Sequence, residues 1–174
     1  MIFDGPTHSE LYDKTIGILG YGKIGKEIAK RIKPFGVDIV GYSRVKKLKD
    51  KYLKNIYLSK DLDKNVNKLD YLIVACPLTD QTKNIINIKT FNLMKESSVI
   101  INIARGGIIN EKDLYLSLKN KNIGGAIIDT WFKYPISNKQ NGFKPSNYNF
   151  NLLKNVVMSP HISAWSENMI KRRS

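Results

Sequence analysis

Cysteine occurs once in the 174 residues, at Cys76, and histidine twice, at His8 and His161. A single thiol excludes an internal disulfide and any multi-thiolate metal site, and two histidines without thiol partners leave no metal cluster. Such a chain suits a reducing compartment, the cytoplasm. No apolar run approaches the ~18–20 residues that a bilayer span requires. The longest, Tyr71–Ala75 and Val99–Ile103, have the length of strands. The opening MIFDGPTHSE has neither a basic stretch nor an apolar core, so it does not read as a secretory signal. Acidic residues are also scarce, 15 against 29 basic ones, for a formal net charge of +14. That balance raises nucleic acid or an anionic membrane as partners. The lysines, however, are spread from Lys14 to Lys171, and only 5 of the basic residues are arginines. Arginine-led reading of phosphates and bases would look different. Neither nucleic acid nor membrane is expected, but anionic small molecules should be attracted.

What is present is a 42% hydrophobic chain, enough for one buried core. Continuous apolar runs alternate with helix-length amphipathic stretches, the pattern of a parallel sheet with crossover helices. Strands are expected at 15–20, 37–43, 56–58, 71–76, 98–104, 123–130 and 155–159. A helix is expected over 23–35, with Ile24, Ile28, Ile32 and Phe35 as one apolar stripe, ended by Pro34 and Gly36. Another should run from Asn110, as its cap, to Asn120, with Glu111 and Asp113 in the first turn. A long loop fills 131–153. The fold class is α/β, one doubly wound parallel sheet of Rossmann type.

Gly20-Tyr21-Gly22-Lys23-Ile24-Gly25 falls between the first strand and the first helix, the context that lifts a GxGxxG above a plain glycine turn. Gly20 permits the tight turn, Gly22 lets a pyrophosphate approach the backbone, and Gly25 lets helix and strand pack closely. The helix start, with Lys23 and Ile24, supplies free N–H groups. At the end of the second strand, Ser43, Arg44 and Lys46 stand where a carboxylate would read a ribose 2′-hydroxyl. That composition suits a 2′-phosphate, so NADP is favoured over NAD.

Four segments in order carry a resemblance to a family: Lys14 through Gly25, Pro77-Leu78-Thr79 with Thr82, Ile101 through Gly107, and Ser159-Pro160-His161. From Leu11 to Glu167 the chain resembles the nucleotide-binding domain of the D-isomer-specific 2-hydroxyacid dehydrogenases, among them glyoxylate/hydroxypyruvate reductases, phosphoglycerate dehydrogenases and formate dehydrogenases. The resemblance implies hydride transfer between NAD(P) and a small 2-oxo or 2-hydroxy acid. It makes Arg105 the anchor of the substrate carboxylate, as a guanidinium can be. His161 becomes the acid/base, an imidazole titrating near neutrality, and Asp129 the residue that meets the nicotinamide carboxamide. Cys76, Pro77, Thr82, Ile103 and Ala104, with Arg105 and His161, join the cofactor contacts. Read singly, Arg105 is a surface ion-pair partner, Asp129 a strand-end cap and His161 a loop residue. Together, at strand ends and family spacing, they read as a site.

Two departures from the family pattern stand out. The catalytic acid is expected five residues after Asp129 and just before a proline, where this chain has Tyr134 before Pro135. A phenol, uncharged below pH ~10, hydrogen-bonds an imidazole without giving it Coulombic help. The family also wraps a substrate-binding domain around this one; 1–13 and 162–174 read as remnants of the linkers to it. The chain is then a cofactor-binding part, truncated, for which the resemblance implies no activity alone. The alternative is a non-catalytic nucleotide-binding or interaction module. Relatives dimerise through this domain, so a homodimer is expected.

Overall fold

Runs of Ile, Leu and Val bounded by glycine, proline or asparagine become strands, and the patterned stretches between them cross over on one face or the other. A computed structural model of the chain describes residues 9–45, 50–136, 142–167 and 169. Its strands are β1 (Thr15–Leu19), β2 (Asp38–Ser43), β3 (Asn55–Leu58), β4 (Tyr71–Val74), β5 (Val99–Asn102), β6 (Gly125–Ile128) and β7 (Val156–Met158). All pair in parallel, in the order β3-β2-β1-β4-β5-β6-β7. The chain therefore winds outward from β1 to β3, returns, and winds the other way from β4. The reversal between β1 and β4 opens a crevice at the strands' carboxyl ends, where such sheets bind ligands.

The helices are α1 (Lys23–Ile32), α2 (Ile88–Leu93) and α3 (Glu111–Lys119). Asn110 caps α3 as expected, its side chain accepting from the Asp113 N–H at 3.1 Å. The α2 helix, not anticipated, begins the same way, with Asn87 accepting from the Lys89 N–H at 3.0 Å. The expected stripe on α1 requires correction. Gly25 and Ala29 are its buried residues, Ile28 and Ile32 pack beside them, and Ile24 and Phe35 are 62% and 57% exposed. Small residues let α1 lie close on the sheet, which turns the larger side chains off the contact line.

Strands β4 and β5 end sooner than their apolar runs, because the next residues fold into loops at the crevice. Asn102 makes one such turn, its side chain accepting from the Ala104 N–H and donating to the Arg105 carbonyl, both at 3.0 Å. On one face of the sheet Leu72, Val74 and Ile100 pack with Phe91 of α2 and Leu114 and Leu118 of α3. On the other, α1 covers Ile16, Ile18, Ile39 and Ile73. No helix among the described residues is long and apolar enough to cross a membrane.

Candidate functional site

The glycine turn closes β1 at the crevice. Gly20 has φ +101°, and a Cβ there would lie 2.4 Å from the Cys76 backbone nitrogen, so the end of β1 meets the end of β4 only through a glycine. A Cβ on Gly25 would lie 2.6 Å from the Gly20 carbonyl oxygen, which fixes how closely α1 approaches the turn. Gly22 differs: a Cβ there would meet nothing within 4 Å. Tyr21, between them, turns inward and is buried against Gly41. The first turn of α1 carries no acidic residue and Gly22 gives no side-chain cap, so its N–H groups are open to an anion.

A cleft of about 750 Å³ runs from this turn along the ends of β2, β3 and β4. It brings together Gly20, Gly22, Ser43, Arg44, Cys76, Pro77 and Thr82 of the sequence-predicted residues, and adds Ser59, Lys60 and Gln81, for which the sequence offered no motif. The lining contains no carboxylate among the described residues. Thr82 shapes the wall, its hydroxyl donating to the Pro77 carbonyl at 2.7 Å and accepting from the Thr79 N–H at 2.8 Å. Burial pushes the Cys76 thiol up to about 11, so it is a neutral wall and not a nucleophile. The Ser43 hydroxyl donates to the Val45 carbonyl, which removes it as a donor to a phosphate. Lys46 lies outside the described residues.

A second cluster occupies the ends of β5, β6 and β7. Asp129, 3% exposed, ends β6 and binds the 159–163 turn from inside. Its Oδ1 accepts from the Ser159 hydroxyl at 2.6 Å, the Ile162 N–H at 2.9 Å and the Ser163 N–H at 3.2 Å, while Oδ2 takes the Ser163 hydroxyl. Burial opposes the charge, but the donors from Ser159, Ser163 and Ile162 outweigh it and hold the carboxyl below the usual range. Within that turn His161 sits at φ +61°, a left-handed conformation costly for a residue with a Cβ. Asp129 gathers the groups flanking His161 on both sides, which is how the strain persists. Its lone pairs are thereby largely committed to protein donors.

Tyr134 reaches the same place by a different contact. Its hydroxyl accepts from the Trp131 N–H at 3.0 Å, and its ring packs on the His161 imidazole with centroids 5.4 Å apart. The Trp131 indole donates to the Ser159 carbonyl at 2.9 Å. The Arg105 loop docks onto this group through Gly106, where a Cβ would lie 2.3 Å from the Trp131 carbonyl oxygen. Arg105 itself is exposed, with Nη1 donating to the Ala104 carbonyl at 2.6 Å. Sequence reasoning gave no site role to Asn102, which shapes the Arg105 turn locally, or to Gly106, Trp131 and Ser163, which act through contacts between distant segments. Lys23, Ile24 and Gly25 lie behind the glycine turn, and Ile103 and Ala104 lead into the Arg105 loop; none of them lines the cleft. Among the described residues no group of three His, Cys, Asp or Glu side chains could hold a metal.

Residues 4–163 match the family described as D-isomer specific 2-hydroxyacid dehydrogenase, NAD binding domain. A glyoxylate reductase of Pyrococcus furiosus is 38% identical over 156 residues, 89% of this chain and 43% of that protein. A D-3-phosphoglycerate dehydrogenase of Methanocaldococcus jannaschii is 35% identical over 93% of this chain and 29% of its own length. The chain thus spans less than half of these relatives. Among solved structures, an NADPH-dependent glyoxylate/hydroxypyruvate reductase from Sinorhizobium meliloti, in complex with NADP and sulfate, superposes with a TM-score of 0.80 at 28% identity, covering 97% of this chain and 52% of that one. An NAD-dependent formate dehydrogenase from Staphylococcus aureus, in complex with NAD, also gives 0.80, at 29% identity over 94% and 46%. With its parallel sheet, glycine turn and strand-end cluster, the chain belongs to the D-isomer-specific 2-hydroxyacid dehydrogenase family, whose NAD(P)-binding domain it constitutes.

Proposed function

We propose that the chain is the cofactor-holding part of an NADP(H)-preferring dehydrogenase that moves a hydride between the nicotinamide and C2 of a small 2-oxo or 2-hydroxy acid. The observation that carries the reading is the cleft: Gly22 opens onto it, Gly20 and Gly25 brace the turn behind it, and no carboxylate lines it among the described residues. The residues present fit a dinucleotide. The α1 N–H groups and Gly22 would hold the diphosphate, and Arg44 the adenosine end.

When bound, the nicotinamide supplies the hydride. Arg105 anchors the substrate carboxylate, for which its guanidinium must leave the Ala104 carbonyl. His161 passes the proton to or from the C2 oxygen, and Tyr134 orients the imidazole by ring contact instead of by charge. Asp129 holds the His161 turn, and reaching a carboxamide would require it to release one of its present donors. In the whole protein we propose a homodimer, following the family's habit; sedimentation of the native protein tests this.

Nicotinamide fluorescence on titrating NADPH and NADH into the chain is the direct test. NADPH should bind at least tenfold more tightly, a difference of about 1.4 kcal/mol; no binding of either below millimolar overturns the cofactor reading. In protein carrying a substrate-binding domain, His161→Ala should lower kcat for glyoxylate or hydroxypyruvate about 10²-fold or more. Undiminished turnover removes His161 from the proton path. A second reading, a non-catalytic nucleotide-binding module, draws on Tyr134 in the acid position and on Arg105, whose guanidinium is folded back onto the Ala104 carbonyl. Tight NADPH binding with no turnover in that complete protein selects it.

A further inference from the structure

The adenosine end of the cleft is built from two strands, and only one of them belongs to the phosphate-reading position recognised from sequence. Ser43 at the end of β2 pairs with Leu58 at the end of β3, so Arg44 and Ser59 leave the sheet side by side. One residue further on is Lys60, and Arg44 and Lys60 both line the cleft. Both are exposed, and neither forms an ion pair among the described residues.

The carboxylates nearest in sequence are spoken for. Asp61 pairs with Lys64 at 2.7 Å, and Asp50 with Lys26 at 3.3 Å while also accepting from the Tyr52 N–H. Two unneutralised cations at one end of a cleft, with no acid in its lining, make a field that favours a dianion. The Ser43 hydroxyl cannot complete such a site, because it donates to the Val45 carbonyl. The hydroxyl of Ser59, half-buried in the same wall, has no hydrogen-bond partner among the described residues and is free to donate.

We propose that Lys60, with Ser59 beside it, forms the β3 side of a two-sided 2′-phosphate clamp whose β2 side is Arg44, and that Lys60 sets the preference for NADP over NAD. The proposal rests on the cofactor reading above and adds a specificity-determining residue to it. Lys60 recognises the 2′-phosphate as a point charge, while Arg44 offers a forked donor, so the two are not redundant. Because the contact is made only to the 2′-phosphate, its loss should leave NADH untouched.

The test measures dissociation constants for NADPH and NADH by nicotinamide fluorescence, and for 2′,5′-ADP by calorimetry, in the wild-type chain and in Lys60→Ala, Lys60→Glu and Arg44→Ala. Lys60→Ala should weaken NADPH and 2′,5′-ADP about tenfold or more, as for the loss of a charge-assisted hydrogen bond, and change NADH less than about twofold. Lys60→Glu should weaken NADPH further still. The salt dependence of NADPH binding should flatten in Lys60→Ala. An unchanged melting temperature shows that the variants fold. If the wild type binds neither dinucleotide, the cofactor reading itself has failed. If it binds both and Lys60→Ala weakens them equally, or weakens neither, the clamp is overturned while the cofactor reading stands.

Discussion

At the level of single residues, the three glycines of the turn separate fold from function. Gly20 is required by both its φ of +101° and the Cys76 backbone. Gly20→Ala therefore forces main chain apart and should cost about 3 kcal/mol or more, lowering Tm by roughly 6 °C or more in a thermal scan. Gly22→Ala meets open space. It should leave Tm within about 2 °C of the wild type yet weaken NADPH about tenfold, because the methyl projects where a phosphate must come.

Asp129 carries a pH signature. Its carboxyl is lowered in the folded state, so the stability it contributes is present above its unfolded value near 3.8 and is lost as pH falls through the lower folded value. Urea midpoints should fall between pH 5 and pH 3, and fall less in Asp129→Asn. The same decline in both proteins removes Asp129 as the cause. At pH 7 Asp129→Asn should itself cost about 1–3 kcal/mol, since an amide nitrogen cannot accept from Ser163.

Between elements, the decisive contacts join a helix or strand end to a loop far away in sequence. Glu111, in the first turn of α3, accepts from the Ser146 hydroxyl at 2.7 Å and from the Asn147 N–H at 2.6 Å, tying the long loop after β6 to the helix. The cap beside it is local: Asn110→Ala should cost about 1 kcal/mol, read as a small fall in Tm. Gly106→Ala reaches further. With a methyl 2.3 Å from the Trp131 carbonyl, the Arg105 loop must shift away from Tyr134 and His161. The Trp131 fluorescence maximum should move to longer wavelength as the indole, 9% exposed, gains solvent; an unmoved spectrum means that the loops can yield without parting.

Across the whole molecule, the sheet is covered unevenly. Ile73, Ile101, Ile127 and Val157 lie in register across β4 to β7 on the α1 face. Exposure rises from 8% at Ile73 to 39% at Ile127 and 63% at Val157, because the cluster under α1 takes in β2, β1 and Ile73 of β4 but no residue of β6 or β7. Parallel sheets ordinarily have both faces covered. The chain should therefore enhance the fluorescence of an apolar-surface dye in its native state, and Ile127→Thr with Val157→Thr should reduce it. A native chain dark to the dye would mean that this face is covered in solution.

The succession of strands along the chain, the glycine turn and the cap at Asn110 were legible in the sequence because each depends on neighbours within a few residues: apolar runs, a GxGxxG between strand and helix, an asparagine ahead of acids. The Arg105, Asp129 and His161 candidates were legible only through family spacing, since nothing local distinguishes an exposed arginine from a site residue. The buried side of α1 was misread because periodicity marks apolar side chains but not how near two backbones come, and Gly25 decides that. Tertiary structure alone decided that Asp129 holds the strained His161 turn, that Gly106 seats the Arg105 loop on Trp131, and that Lys60 shares a wall with Arg44. Each of these joins segments set side by side by strand order and register, and a contact made across the sheet leaves no period or motif along the chain.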